Sequence, residues 1–511
     1  MKGEPDQPAS PRRRLLTVFW LLVCAVGALR FVHLSADFPN DSPWMIDQAK
    51  FTDEGWWASA AVTHAITGHW YVPGDYNPAV ALPVWPLLLS AVFHFTGLSL
   101  IAARSLSVVI SLATLALVYL LVRRHSHPGA WLPACAAVLL LALSPFAFVF
   151  SRLAILDTLV AFELCLCLLV ASFASARCIW PLVTLCALVI LMLLTKTTAA
   201  VLLPAIFWLA WSAAGRKLIP FLRASFAVIV VPALIIKCYA ATVATLGYGA
   251  DYKSFYDLNS MEDYVWSQSF TTLAELFRNA FWIDRVLYPV ALVLFIITIC
   301  WKRRLWSNPL FTASCLALGG VALYIFRRQE DYAPRYFLVM LVPLILIVVL
   351  ALDELFSQLA TASALPRFRW NRQTIAATFL VSAIAASVIA NGVMLAQFVA
   401  HPEYQFVGAA NSIREFIRRH PEQKPLILGV SGPQISLMTG IPSINDGYGT
   451  EDMSEKIARY QPGWYLAWAG ISSDDAALLA PYKLEQVASY PAFDDDERTP
   501  LILYKMSPCV H

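Results

Sequence analysis

Two adjacent carboxylates, Asp53 and Glu54, open the run DEGWWASAAVTHAITGHW. An ionised carboxylate within hydrogen-bond reach of a hydroxyl can take its proton as a general base. Trp56 and Trp57 follow after Gly55, and tryptophans of this kind anchor at the headgroup level of a bilayer. The carboxylates are therefore held close to where a lipid's polar head lies. The same pair also reads as an ordinary acidic helix start, favoured by capping and by the helix dipole. Residue types alone leave both readings open.

Three further segments carry ionisable groups that are costly at a membrane edge and usually have a task there. Ser151-Arg152-Leu153-Ala154-Ile155-Leu156-Asp157 places an Arg and an Asp between two apolar runs; the pair could receive a ligand or simply close a hairpin as a salt bridge. Lys196 stands between two apolar runs with almost no loop. There it can meet a phosphate as a point charge, or snorkel to the interface. Arg327, Arg328 and Arg335 lie in the stretch leading to Tyr336, and basic residues at the head of a helix suit an incoming anion. One acidic and three basic clusters around a membrane-level space fit a lipid phosphate carrying a group to be transferred: a base near the acceptor, and cations for the charge building on the departing phosphate.

The elements that must position these groups are mostly membrane helices. The 511 residues are 59% hydrophobic and 14% charged, with mean hydropathy +0.62, outside the usual range of soluble globular proteins. The net charge of +3 is scattered in short Lys/Arg clusters, which argues against a nucleic-acid partner. Nine of the ten cysteines fall in or beside apolar stretches, where a thiol acts as a small hydrophobe; neither a metal-ligand spacing nor a disulfide framework is visible. Arg12, Arg13 and Arg14 before the first apolar run, with Val26 and Ala28 beyond, resemble a secretory signal; an uncleaved first helix is the preferred reading.

Apolar runs at 15–34, 101–122, 131–150, 157–175, 180–194, 198–214, 219–240, 286–300, 310–326, 337–352 and 374–397 predict about eleven spans. With residues 1–14 inside as a cytoplasmic tail, nearly every basic cluster falls on the inner side, as the positive-inside rule expects; Arg327, Arg328 and Arg335 break it. The apolar segment 80–97 carries two prolines and a histidine and reads as an interfacial helix of the first outer loop, residues 35–100. The expected architecture is a mainly α, polytopic membrane domain over 15–400, followed by a small extracytoplasmic α/β domain over 401–511. In that last part KPLILGV, GWYLAWAG, LEQVASY and PLILYKM read as strands, and NSIREFIRRH and DMSEKIARY as amphipathic helices.

Five ordered segments, FTDEGWWASAAVTHAITGHWYVP, PVWPLLLSAVFHFTGLSLIAARSLS, SRLAILDTLVAF, LLTKTTAAVLLP and PRYFLVMLVPLI, resemble the C-type integral-membrane glycosyltransferases. The likeness is to the branch containing protein O-mannosyltransferases and the lipid A aminoarabinose transferase, and extends to about residue 345. It implies transfer of a sugar from a polyprenyl-phosphate donor to a lipid, glycan or protein acceptor. Transfer would invert the anomeric carbon and occur on the periplasmic or exterior side of a bacterial plasma membrane.

Carried over, Asp53 resembles the catalytic base, Glu54 its companion and Asp157 a second acidic residue of the cavity. Lys196 and Arg335 resemble the cations facing the donor phosphate, and Arg152 and Arg104 sit at matching positions; Arg152 and Arg327 join Lys196 and Arg335 as candidates for binding the donor phosphate. The chain departs from the aminoarabinose transferases at Asp75-Tyr76-Asn77-Pro78, where the family's Glu-Lys element before a Pro-Pro pair is missing. Neither lipid A as acceptor nor a metal at that point is therefore implied, and Asp75 stands as a replacement. The cofactor question stays open between none and a divalent metal, for which the sequence offers no ligand motif. The competing reading is a transporter or lipid flippase, which would be expected to show inverted repeats and broken helices near the midplane; no such repeat is evident.

Overall fold

A computed structural model describes residues 11–38, 51–127, 131–259, 303–328, 334–362, 372–492 and 500–508, with isolated positions between 271 and 296. The expected span at 286–300 lies largely outside these residues. In lipid every backbone polar group must bond within its own segment, so the apolar runs become helices. Residues Pro11–Leu29 form α1. The first outer loop supplies α2 (Asp53–Thr67) and α3 (Val84–Thr96), and α4 (Leu100–His125) follows. At 13 residues, α3 is roughly 20 Å long. That is too short to cross a hydrocarbon core of about 30 Å, which favours the interfacial reading.

The 131–150 run divides into α5 (Leu132–Ala142) and α6 (Pro145–Phe150). Pro145 opens a new first turn, and the Ser144 hydroxyl accepts from the Ala147 amide at 3.2 Å. Next come α7 (Leu156–Ala171) and α8 (Trp180–Thr195). Lys196 then breaks the helix with extended backbone, and a 3-10 turn, Thr197–Leu202, leads into α9 (Leu203–Ala213). Among the described residues five helical stretches are long and apolar enough to cross a membrane: Leu100–His125, Leu218–Leu258, Pro309–Arg328, Pro334–Ser357 and Ile384–Arg419. Shorter apolar helices pack among them, and the stretch Pro334–Ser357 is the most enclosed, 78% of its window being buried.

The helices gather their polar ends into two layers. At one end Asn308 donates to the His125 carbonyl at 3.0 Å, Arg124 to the Ser172 carbonyl at 2.9 Å, and His127 bonds Asp353 at 3.0 Å. These are the connections rich in Lys and Arg. The opposite end collects Arg30, Glu54, Arg104, Arg152, Asp157, Lys196 and Arg335, and on it sits the C-terminal α/β unit.

That unit has one mixed sheet of β1 (Ile427–Leu428), β2 (Ser443–Ile444), β3 (Trp464–Trp468), β4 (Tyr482–Tyr490) and β5 (Leu501–Pro508), in the order β2-β1-β3-β5-β4. β1 runs parallel to β2 and β3, while β5 runs antiparallel to β3 and β4. Ile413 and Ile417 of the helix Gln405–Arg419 pack on one face with Trp464, Leu466 and Leu503. Ile457 packs on the other with Leu428, Tyr465 and Met506. The two-residue strand Ser443–Ile444 and the helix Gly432–Thr439 are too short to leave a periodic signal, and sequence reasoning passes over both.

Docking of this unit on the first outer loop is intimate. Asp37 accepts from the Phe406 and Val407 amides at 2.7 and 3.2 Å, capping the helix Gln405–Arg419 from outside its own segment. At Gly55 an added Cβ would lie 2.1 Å from the Gln434 amide nitrogen, so α2 and the helix Gly432–Thr439 touch backbone to backbone.

Candidate active site

Asp53 is the first residue of α2, after Thr52, whose side chain does not cap the helix. Its Oδ1 accepts from the Thr52 hydroxyl at 3.2 Å and its Oδ2 from the Trp57 indole N–H at 3.3 Å. Arg335 Nη2 approaches the same Oδ2 at 2.8 Å. Lys196 Nζ lies 2.7 Å from Asp157 Oδ1, the carboxylate being 2% exposed and the ammonium 14%. The ring of Tyr336 joins these pairs, with Lys196 Nζ at 4.5 Å from its centroid and the Arg335 guanidinium at 5.4 Å. Such distances suit cation–π attraction. A cavity of about 30 Å³ lined by Asp157, Lys196, Tyr324 and Tyr336 opens beside them. Four of the expected site residues, Asp53, Asp157, Lys196 and Arg335, thus meet around one tyrosine.

Glu54 behaves differently from its neighbour. Its Oε1 accepts from Arg104 Nε and the Ala154 amide, both at 2.8 Å; its Oε2 accepts from Arg104 Nη2 at 2.6 Å and Gln434 Nε2 at 3.1 Å. Both partners are almost wholly buried. With four donors on two oxygens the carboxylate has little room for a substrate proton. Arg104 also donates to the Leu34 and Ala36 carbonyls at 3.0 and 2.6 Å. It ties α4, α2 and the turn after α1 into one joint. Glu54, expected as the companion of Asp53, is thus a joint between elements, and Arg104 is its counter-ion.

Arg152, expected as a further donor-phosphate residue, lies at the turn after α1. Its Nη2 donates to the Val32 and His33 carbonyls at 2.7 and 2.6 Å, and its guanidinium lies 4.9 Å from the Phe398 ring centroid. It holds the turn after α1. Arg327 is exposed in the last turn of the helix Pro309–Arg328.

Aromatic residues surround the site, and of these Phe255, Tyr336 and Tyr448 carry no role in the sequence reading. Trp56 meets Tyr76 and Tyr448 edge to face at centroid separations of 5.7 and 5.2 Å, Tyr76 and Tyr448 are tilted at 6.0 Å, and Phe255 stacks on Tyr76 at 6.5 Å. Burial pushes the Tyr76 phenol well above its ordinary range, and the Asp53 charge adds to that. Tyr76 therefore stays protonated beside the carboxylate. Adjacency to Arg335 was the only available signal for Tyr336, and nothing in the local sequence pointed to Tyr448 or Gln434.

Asp75, offered as a replacement in the loop motif, serves docking. Its Oδ1 accepts from the Asn445 amide at 2.9 Å and lies 3.4 Å from Lys456 Nζ. Burial pushes its carboxyl up to about 6, against the lowering pull of Lys456. A folded pKa above the unfolded value of about 3.9 means the native state binds the proton more readily. The stabilisation this provides is complete below about pH 4 and is lost as pH rises through about 6, on the order of 3 kcal/mol. Thermal unfolding midpoints should accordingly fall across that window, and the slope should shrink in Asp75→Asn. An unchanged slope in the variant would show that other groups carry it. Beside Asp75, between α2 and the sheet unit, lies a cavity of about 170 Å³ lined by Thr63, Tyr76, Asn77, Ser436 and Ser443 among others.

Among the described residues no group of three or more His, Cys, Asp or Glu side chains could hold a metal ion. The carboxylates of the cluster face cations instead.

A helical membrane bundle crowned by a small α/β unit, with acids and bases gathered where the two meet, has the fold of the C-type membrane glycosyltransferases. Residues 77–236 match the family model of dolichyl-phosphate-mannose-protein mannosyltransferase. The matched stretch contains Asp157 and Lys196 but ends before Arg335 and begins after Asp53. The fold is similar to that of ArnT from Cupriavidus metallidurans bound to undecaprenyl phosphate, at TM-score 0.61 and 13% identity over 96% of this chain and 97% of that one. It is also similar to the archaeal oligosaccharyltransferase AglB from Archaeoglobus fulgidus, at TM-score 0.55 and 12% identity over 96% and 76%. No curated protein matches the chain.

Proposed function

We propose that the protein is an inverting glycosyltransferase that moves a sugar from a polyprenyl-phosphate donor to a hydroxyl-bearing lipid, glycan or protein acceptor on the outer face of the membrane. The observation that carries this reading is the meeting of Asp53–Arg335 and Asp157–Lys196 across Tyr336. Likeness in fold to a protein seen with undecaprenyl phosphate bound supports the choice of donor.

In the reaction the acceptor oxygen bonds to the anomeric carbon from the face opposite the phosphate. The carbon–oxygen bond to phosphate breaks and its electron pair leaves with the polyprenyl phosphate. The acceptor proton passes to Asp53. A sugar phosphodiester carries one negative charge, whereas the departing monoester approaches two. Lys196 and Arg335 therefore bind the transition state more tightly than the ground state, which is the condition for raising the rate. Before donor binding both cations are neutralised by Asp53 and Asp157; a phosphate that takes up Arg335 frees Asp53 to act as base. The hydroxyl- and amide-lined cavity sharing Tyr76 with this site offers room for the acceptor's polar group.

The test is sugar transfer in proteoliposomes supplied with a set of polyprenyl-phosphate sugars, with the anomeric configuration of the product read by NMR. Lys196→Met is expected to lower turnover about 10²- to 10³-fold. Transfer with retention would overturn the single-displacement step. Lipid movement without any product in the wild type would overturn the transferase reading in favour of a flippase.

A further inference from the structure

Arg30 follows α1 and is 1% exposed. Its Nη2 donates to the Ala142 carbonyl at the end of α5, at 3.0 Å; its Nε and Nη1 are buried without a partner. The guanidinium lies 4.8 Å from the Phe148 ring centroid, and Arg152 approaches the same ring at 5.6 Å. Among the described residues neither arginine forms an ion pair. Leaving a buried guanidinium with no counter-charge costs several kcal/mol, and the single helix-end carbonyl offsets only part of that.

Arg30 lines a cavity of about 20 Å³ together with Ser111, Thr114, Ser151 and Thr158. The Thr158 hydroxyl is itself buried without a partner. It stands in the first turn of α7, whose N-terminal dipole end favours negative charge. One water needs about 10–15 Å³ of such space, so the cavity takes a single small particle and is too small for a phosphate or carboxylate. Water would satisfy the hydrogen bonds but leave the charge uncompensated.

We propose that this cavity is a binding site for one monatomic halide, with chloride the physiological occupant, held by the Arg30 Nε and Nη1 hydrogens and the Thr158 hydroxyl. The ion ties the turn after α1 to the first turn of α7, the turn that carries Asp157. It thus helps position the Lys196–Asp157 pair without touching the reacting atoms. This site does not depend on the proposed reaction.

Thermal unfolding of the full-length protein in lipid nanodiscs, with chloride replaced stepwise by gluconate at constant ionic strength, tests it without any activity measurement. The midpoint should rise with chloride and saturate, as expected for a ligand bound only by the native state, and bromide should act in the same way. Arg30→Gln should abolish the response. Thr158→Val removes a hydroxyl that has no other partner, so folding should be kept, while the half-saturating chloride concentration should rise on the order of tenfold. Should Arg30→Gln fail to fold, Thr158→Val decides the matter alone. Equal midpoints in chloride and gluconate for the wild type, or an unaltered chloride response in Thr158→Val, would overturn the proposal.

Discussion

Asp53→Asn is expected to lower sugar transfer about 10²- to 10⁴-fold, the range for losing a general base, while folding and membrane insertion stay close to wild type. Asparagine keeps the size of the side chain, and its oxygen can still accept from the Trp57 indole that now bonds Asp53. What it cannot do is receive the acceptor's proton. Turnover in proteoliposomes, read beside the unfolding midpoint of the same preparation, separates the possible outcomes. Full activity would remove Asp53 from the chemistry. Equal losses in turnover and in midpoint would make the Asp53–Arg335 pair a structural tie.

Glu54→Ala, one residue along, should give the opposite phenotype. Removing the carboxylate strands the Arg104 guanidinium and leaves the Ala154 amide and the Gln434 side chain without their acceptor. Breaking a buried pair from one side costs about 3–5 kcal/mol, enough to abolish accumulation of many domains whose net stability is only about 5–15 kcal/mol. Yield and unfolding midpoint are the measurements. Glu54→Ala combined with Arg104→Met should recover part of the loss, because the second change removes the stranded charge. A Glu54→Ala protein that unfolds at the wild-type temperature yet turns over slowly would return Glu54 to the catalytic machinery.

These two adjacent carboxylates mark how far the sequence could be read. Hydropathy and the distribution of basic residues predicted a polytopic helical protein, and the described helices follow most of the expected spans. Each span must meet its hydrogen bonds locally and present apolar side chains to lipid, so the information lies within the segment itself. The larger strands of the C-terminal unit were legible for a similar reason, since alternation along a strand reports its buried face. Ser443–Ile444 was not, being too short to show a period.

Roles within the site were decided elsewhere. Asp53 and Glu54 share a helix turn, a charge and two tryptophan neighbours, and nothing local distinguishes them. Successive residues on a helix point about 100° apart. In this fold one direction meets Arg335 and Tyr336 at the membrane-level cluster, and the other meets Arg104, Ala154 and Gln434 inside a joint between elements. The partners lie 50 to 380 positions away along the chain, beyond the reach of any window of residues. Thus the sequence by itself determined that acids and bases would gather at one end of a helical membrane bundle. Only the tertiary structure decided which acid meets Arg335 beside Tyr336 and which is consumed in holding the fold, because that choice depends on contacts between distant elements.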